Sequence, residues 1–220
     1  MRRLAFLILA IAATGAPAAH AQTGATVILA SEYSLRGLSL SKGRPVLQLR
    51  IDHDSAGGWY AGGFASRVAL PASDTRAVLI AYGGRARRIG ATLSWDAGLS
   101  QAVYPGAGRL NYREFYAGLN GEHGGLRIAF SPAYYGAGRT AYIELNGAYP
   151  LHTGLSLVGH AGWLHRLRDE AARSRLDLRG AIAAELGNAS VQLGWQGRQR
   201  DPAVRVPRAH ALFASLSYGF

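Results

Sequence analysis

The sequence predicts an all-β fold, a transmembrane antiparallel up-and-down β-barrel of about twelve strands. Three observations predict it. Segments of strand length alternate apolar with small or polar residues through the whole chain, as a wall between hydrocarbon and a wet interior requires. The connections between them fall into a short and a longer set that alternate in order. The alternation also runs to the last residue, so "ASLSYGF" stops in mid-strand on Phe220, where a soluble domain usually frays into polar residues.

The amino terminus comes first. "MRRLAFLILAIAATGAPAAHAQ" has two arginines, an apolar run from Leu4 to Ala13, then small residues up to Ala19-His20-Ala21. This is the pattern of a secretory signal peptide, expected to be cut after Ala21. The run is shorter than the roughly 20 residues of a membrane-spanning helix. The expected mature domain is residues 22–220. No later stretch reads as a transmembrane helix, and the 29 glycines are spread throughout, which weakens helices.

The chain has no cysteine, so an exported protein is held by its core or by a membrane, and thiolate metal sites are excluded. Its formal net charge is +11 and all but one of the 24 basic residues are arginine, Lys42 being the exception. Export argues against a nucleic-acid partner and turns the charge toward anionic lipid or anionic solutes.

The strand segments start with 25–37, 45–54, 58–68, 76–84, 88–101 and 111–121. They continue with 124–135, 140–150, 154–166, 175–186, 189–198 and 209–220. In "RLDLRGAIAAEL", Leu176, Leu178, Ile182, Ala184 and Leu186 oppose Asp177, Arg179, Ala181, Ala183 and Glu185. At the carboxy terminus Leu212, Ala214, Leu216, Tyr218 and Phe220 form the apolar face. Alternation alone also describes a soluble antiparallel sheet, so the connections decide. "SAGG", "GRAR", "EHGG", "LHTG" and "GNAS" are short. "LSLSKGR", "LPASDT", "VYPGAGRLN", "LRDEAARSR" and "RQRDPAVRVPR" are longer, with "GAGR" an exception among them. Outer-membrane barrels have short periplasmic turns and long external loops. Both termini are then expected on the periplasmic side. Phe220 would belong to the closing strand, leaving no unpaired edge. Tyr33, Trp59, Tyr60, Tyr149, Trp163, Trp195 and Tyr218 fall near segment ends, where aromatic belts sit.

This register points Glu32, Arg36, Arg50, Asp52, Asp96, Glu114, Glu144, Asp177, Arg179 and Glu185 into the lumen. Rings of such charges set what passes through a narrow pore; alternatively they form a salt-bridged network that fills a closed interior. A second constellation lies in or beside the longer loops: Arg109, Arg139, Arg166, Arg168, Arg173, Arg175, Arg198, Arg200, Arg205 and Arg208. Guanidinium groups bind phosphate bidentately. Outer-membrane lipid and lipopolysaccharide are therefore expected partners, or the arginines draw anions toward the pore. A solvated basic rim without a specific ligand is the plainer alternative.

Two other classes are weighed. A hydrolase needs a nucleophile, a base and an orienting group in reach of one another. No G-x-S-x-G, metal-spaced histidine pair or phosphate loop is present, so no cofactor, metal or chemical step is expected. A lipocalin-like soluble barrel would turn its apolar faces inward, against the loop asymmetry.

Several stretches carry a family resemblance. "ASEYSLRGLSLSKGRPVLQLRIDHDSAGGWYAGGFASRV" (Ala30 to Val68), "YPGAGRLNYREFYAGL" (Tyr104 to Leu119), "SPAYYG" (Ser131 to Gly136) and "AYIELNGAY" (Ala141 to Tyr149) resemble, in order and spacing, the TorF-type porin family of proteobacteria. The chain departs from that pattern at Phe64, in place of a tryptophan, and at Arg67, in place of an asparagine. The resemblance covers essentially the whole mature chain. It implies a small outer-membrane barrel with a channel function and no established substrate, and the reading that follows is a narrow channel for passive diffusion of small hydrophilic solutes. Glu32, Arg36, Glu114 and Glu144 lie inside the matching motifs and are the foremost pore-lining candidates. The alternative function is a plugged barrel with a structural, lipopolysaccharide-binding or lipid-processing role.

Overall fold

A computed structural model describes residues 21–70, 73–167, 174–198 and 210–220. Twelve antiparallel strands close into a barrel: β1 (Gln22–Ala30), β4 (Val46–Asp54), β5 (Trp59–Arg67), β6 (Ala77–Arg88), β7 (Ser94–Val103), β8 (Tyr112–Asn120), β9 (Gly124–Ser131), β10 (Thr140–His152), β11 (Leu155–Arg166), β12 (Arg175–Leu186), β13 (Ala189–Arg198) and β14 (His210–Gly219). Two further short strands, β2 (Ser34–Leu35) and β3 (Leu38–Ser39), form a separate two-stranded ribbon. Closure comes from β1, which pairs with β14 on one edge and β4 on the other. The backbone N–H of Phe220 donates to the Ala25 carbonyl at 2.9 Å. The chain's last residue is thus tied into the wall.

The strands alternate because their two faces meet opposite surroundings. On β12, Leu176, Leu178, Ile182 and Leu186 are exposed on the outside, whereas Arg175, Asp177, Ala181 and Ala183 are buried inside. On β14, Leu212, Leu216, Tyr218 and Phe220 face out, with Phe213 and Ser217 facing in. The same inversion holds around the barrel, with Leu47, Leu79, Phe115, Ile128, Leu145, Leu157 and Leu193 all exposed. Trp59, Tyr149, Tyr218 and Phe220 lie at one end of this outer wall; Phe115, Trp163 and Trp195 lie toward the other. Tyr33 and Tyr60 depart from the belt expected of them. Both are buried inside the barrel.

Connections of two to five residues join strands at the end that holds both termini, the turn end. At the opposite, loop end, eight to fifteen residues separate successive strands. Three boundaries differ from the sequence expectation. "GRAR" is not a turn but the end of β6, and the chain reverses at 89–93 instead. β9 stops at Ser131, so "GAGR" is part of an eight-residue loop, 132–139, that contains a short 3-10 turn at Tyr134–Gly136. The "GAGR" exception therefore disappears. β1 ends at Ala30, and residues 31–41 leave the wall and turn inward, with Tyr33, Leu40 and Ser41 buried.

Candidate functional site

That inward fold is the organising feature of the lumen. The ribbon turns at Arg36-Gly37, both with positive φ (49° and 71°), the two-residue I′ turn that matches the twist of a hairpin. Leu40 donates its N–H to the Tyr33 carbonyl at 2.7 Å, and Ala69 donates to the Leu40 carbonyl at 2.7 Å, which anchors the ribbon to the 68–76 connection. Ser41 Oγ accepts from the Tyr33 N–H and donates to the Arg44 carbonyl. Phe64 packs its ring 5.6 Å from that of Tyr33. Leu40, Ser41 and Tyr33 are buried.

The tip reaches β12 and β13. A Cβ on Gly37 would lie 2.7 Å from Arg198 Cβ and 2.8 Å from Asp177 Cβ, so the ribbon can approach β12 and β13 only because residue 37 has no side chain. Arg36 holds a left-handed conformation that an arginine rarely adopts. Its guanidinium compensates: Nη1 and Nη2 donate to Glu114 Oε1 and Oε2 at 2.7 and 2.9 Å. Both side chains are nearly buried, at 9% and 11% exposed. The same guanidinium stands 4.1 Å from the Tyr142 ring centre and 5.1 Å from that of Tyr134, cation–π distances. Around it Tyr104, Tyr112, Tyr134 and Tyr135 form a contiguous cluster, with ring centres 4.7 to 6.5 Å apart. Burial pushes the hydroxyls of Tyr134 and Tyr135 up, and that of Tyr104 up to about 12. The loop end of the lumen is thus spanned by a ribbon pinned by one bidentate ion pair.

Below the ribbon the wall carries further networks. Asp96 accepts from Arg127 Nη2 at 2.7 Å, Asn120 Nδ2 at 3.1 Å and Tyr60 Oη at 3.3 Å. Arg50 donates from Nε and Nη2 to Asp52, which also accepts from Tyr82 Oη. Asp177 interacts with His160 Nε2 at 2.9 Å and accepts from Tyr142 Oη. Arg179 donates to Gln192 Oε1 at 3.2 Å and stacks 3.8 Å from the Phe213 ring centre. Glu32 accepts from Gln196 Nε2 at 3.0 Å. Glu144 lies opposite Arg127 in register. Among the described residues no cluster of histidine and carboxylates could hold a metal.

Of the ten residues expected to line the lumen, nine lie there in the ribbon's neighbourhood or on the inner wall. Glu185 shares the inward face but is exposed at the turn-end rim. The loop arginines divide. Arg109 and Arg139 are exposed and Arg166 half-buried, while Arg175 and Arg198 are buried inside the barrel, not turned outward. They head β12 and end β13, as the segments 175–186 and 189–198 anticipated, but on the inward face of those strands. Arg168, Arg173, Arg200, Arg205 and Arg208 lie outside the described residues. Sequence reasoning missed Arg127, Tyr60, Tyr116, Tyr142 and His160; Tyr116 and Tyr142 share parity with the recognised Glu114 and Glu144 on their own strands, and that parity was the signal that could have found those two.

The sequence matches, over residues 13–196, a family described as "Bacterial protein of unknown function (Gcw_chp)". The chain belongs to that family. Comparison with curated proteins gives no match. Among solved structures it resembles the KdgM porin "in complex with disordered oligogalacturonate", with TM-score 0.59 and 10% identity, over 90% of this chain and 98% of that one. It also resembles the NanC porin, with TM-score 0.60 and 8% identity, over 89% of this chain and 97% of that one. The shared feature is the porin-like twelve-strand barrel.

Proposed function

We propose that this protein is an outer-membrane channel for passive diffusion of small hydrophilic solutes, anions preferred. One observation carries the reading: the closed barrel is inside out, with leucines, tryptophans and isoleucines exposed on its outer wall and ion pairs on its inner wall. Soluble monomers rarely expose contiguous apolar patches beyond a few hundred Å², whereas a lipid-facing wall of about 25 Å is what an outer-membrane barrel presents. The likeness to two porins supports the channel class, and the TorF-type motifs belong to the same reading. In it, a signal peptide cut after Ala21 sends the chain to the outer membrane, the turn end faces the periplasm, and the loop end faces outward.

Anion preference rests on the loop end. Arg67, Arg76, Arg109, Arg113 and Arg139 are exposed there, a positive rim that raises the local anion concentration and suits lipopolysaccharide phosphates. The ribbon of residues 31–41 favours a second reading, a barrel held closed whose role is structural or lipid-binding. Liposome swelling separates the two. Vesicles loaded with the refolded protein should swell in small sugars and faster in small organic anions; vesicles that stay impermeable while holding folded, inserted protein would favour the closed barrel.

A further inference from the structure

Three arginines facing the lumen each have a carboxylate: Arg36 with Glu114, Arg50 with Asp52, and Arg127 with Asp96. Arg175 differs. It heads β12 on the inward face and is 4% exposed, and its Nε and Nη2 are sealed from solvent without a hydrogen-bond partner. The nearest carboxylate along its strand, Asp177, is engaged by His160 and Tyr142. Tyr134, from the 132–139 loop, is 5% exposed, and its hydroxyl also lacks a partner. Both groups adjoin the ribbon tip: the Arg36 guanidinium stands 5.1 Å from the Tyr134 ring centre, and Gly37 packs against Asp177, two residues along the inward face of β12 from Arg175. Buried donors of this kind are almost always satisfied in native proteins, by water, an ion or a ligand.

We propose that Arg175 and Tyr134 form a binding site for an oxyanion, the carboxylate or phosphate group of a small solute, at the loop end of the lumen beneath the ribbon. The planar guanidinium edge offers two parallel donors that fit such a group bidentately, and the phenol adds a third from a different element. The ribbon tip lies against Asp177 and Arg198 beside the site. An anion that binds better when the tip is withdrawn shifts the ribbon toward the withdrawn state by that difference in affinity. The site deepens the channel reading by naming the solute class, and its test does not depend on conductance.

The test is calorimetric titration of the purified, full-length protein in detergent with inorganic phosphate and, separately, with acetate, at ionic strength fixed with chloride. Saturable binding is expected. It should weaken at least tenfold in Arg175→Gln and measurably in Tyr134→Phe, and persist in Arg87→Gln, which alters an exposed arginine near the opposite, turn end of the barrel. Tighter phosphate binding marks a phosphate-bearing solute, and tighter acetate binding a carboxylate. If Arg175→Gln fails to fold, Tyr134→Phe, which keeps the ring, carries the test alone. No saturable binding by the wild type, or equal affinity in the folded variants, overturns the proposal. Binding without solute passage would keep the site and sink the channel; passage without binding would do the reverse.

Discussion

Replacing Arg36 by alanine removes both hydrogen bonds to Glu114 and the cation over Tyr142 in one step. What remains is a carboxylate 11% exposed beneath a ribbon that no longer needs to stay there. Removing one partner of a buried pair costs about 3–5 kcal/mol. Here the loss is smaller, because withdrawal of the ribbon admits water to Glu114. An effect of about 2–3 kcal/mol on the equilibrium between inserted and withdrawn ribbon corresponds to a shift of roughly 30- to 150-fold. The assay is single-channel recording of refolded wild type, Arg36→Ala, Glu114→Gln and the double variant. Each single variant should raise the open fraction, and the double variant should add little to either, since both remove the same interaction. Unchanged open fractions in both single variants, or fully additive effects, would refute the role of this pair as the pin.

Other consequences follow from the same geometry. Leu178→Arg places a charge on the exposed outer wall midway along β12; it should destabilise the barrel in vesicles by about 2–4 kcal/mol if that wall meets lipid, read from urea titration of folding. Gly37→Val puts a side chain where Asp177 and Arg198 leave no room and on a φ of 71°, so it should expel the ribbon tip and make Arg36 accessible to proteases or chemical probes. Raising pH should loosen the tyrosine cluster. Tyr104 is held up to about 12 in the closed form, so it contributes stability fully below its ordinary pKa of about 10, and that contribution is lost as pH climbs through about 12. Ultraviolet absorbance of tyrosinate, followed with open fraction, checks this.

The wall was legible because period-two alternation reports which solvent each face meets, and β12 and β14 keep that pattern to their last residues. Loop asymmetry was legible for a related reason: turn chemistry is local. Strand ends were not, since "GRAR" reads as a turn but pairs with Gly98, Ala97, Asp96 and Trp95. The ribbon was missed although its residues were singled out. "SEYSLRGLS" alternates like a strand, and nothing local says that Arg36 leaves the wall for a carboxylate 78 residues away. Phe64 was noticed only as a departure, and its purpose appears once Tyr33 lies against it. Arg175 and Arg198 were placed outside because they adjoin loops; their inward parity outranks that proximity.

The central claim is that a solute path runs through this barrel. Single-channel current of the purified wild-type protein in a planar bilayer, under a potassium chloride gradient, tests it most directly. Discrete conductance steps with a reversal potential on the chloride side are predicted. A silent bilayer, with the protein shown folded and inserted, would contradict the channel and leave a closed barrel in its place.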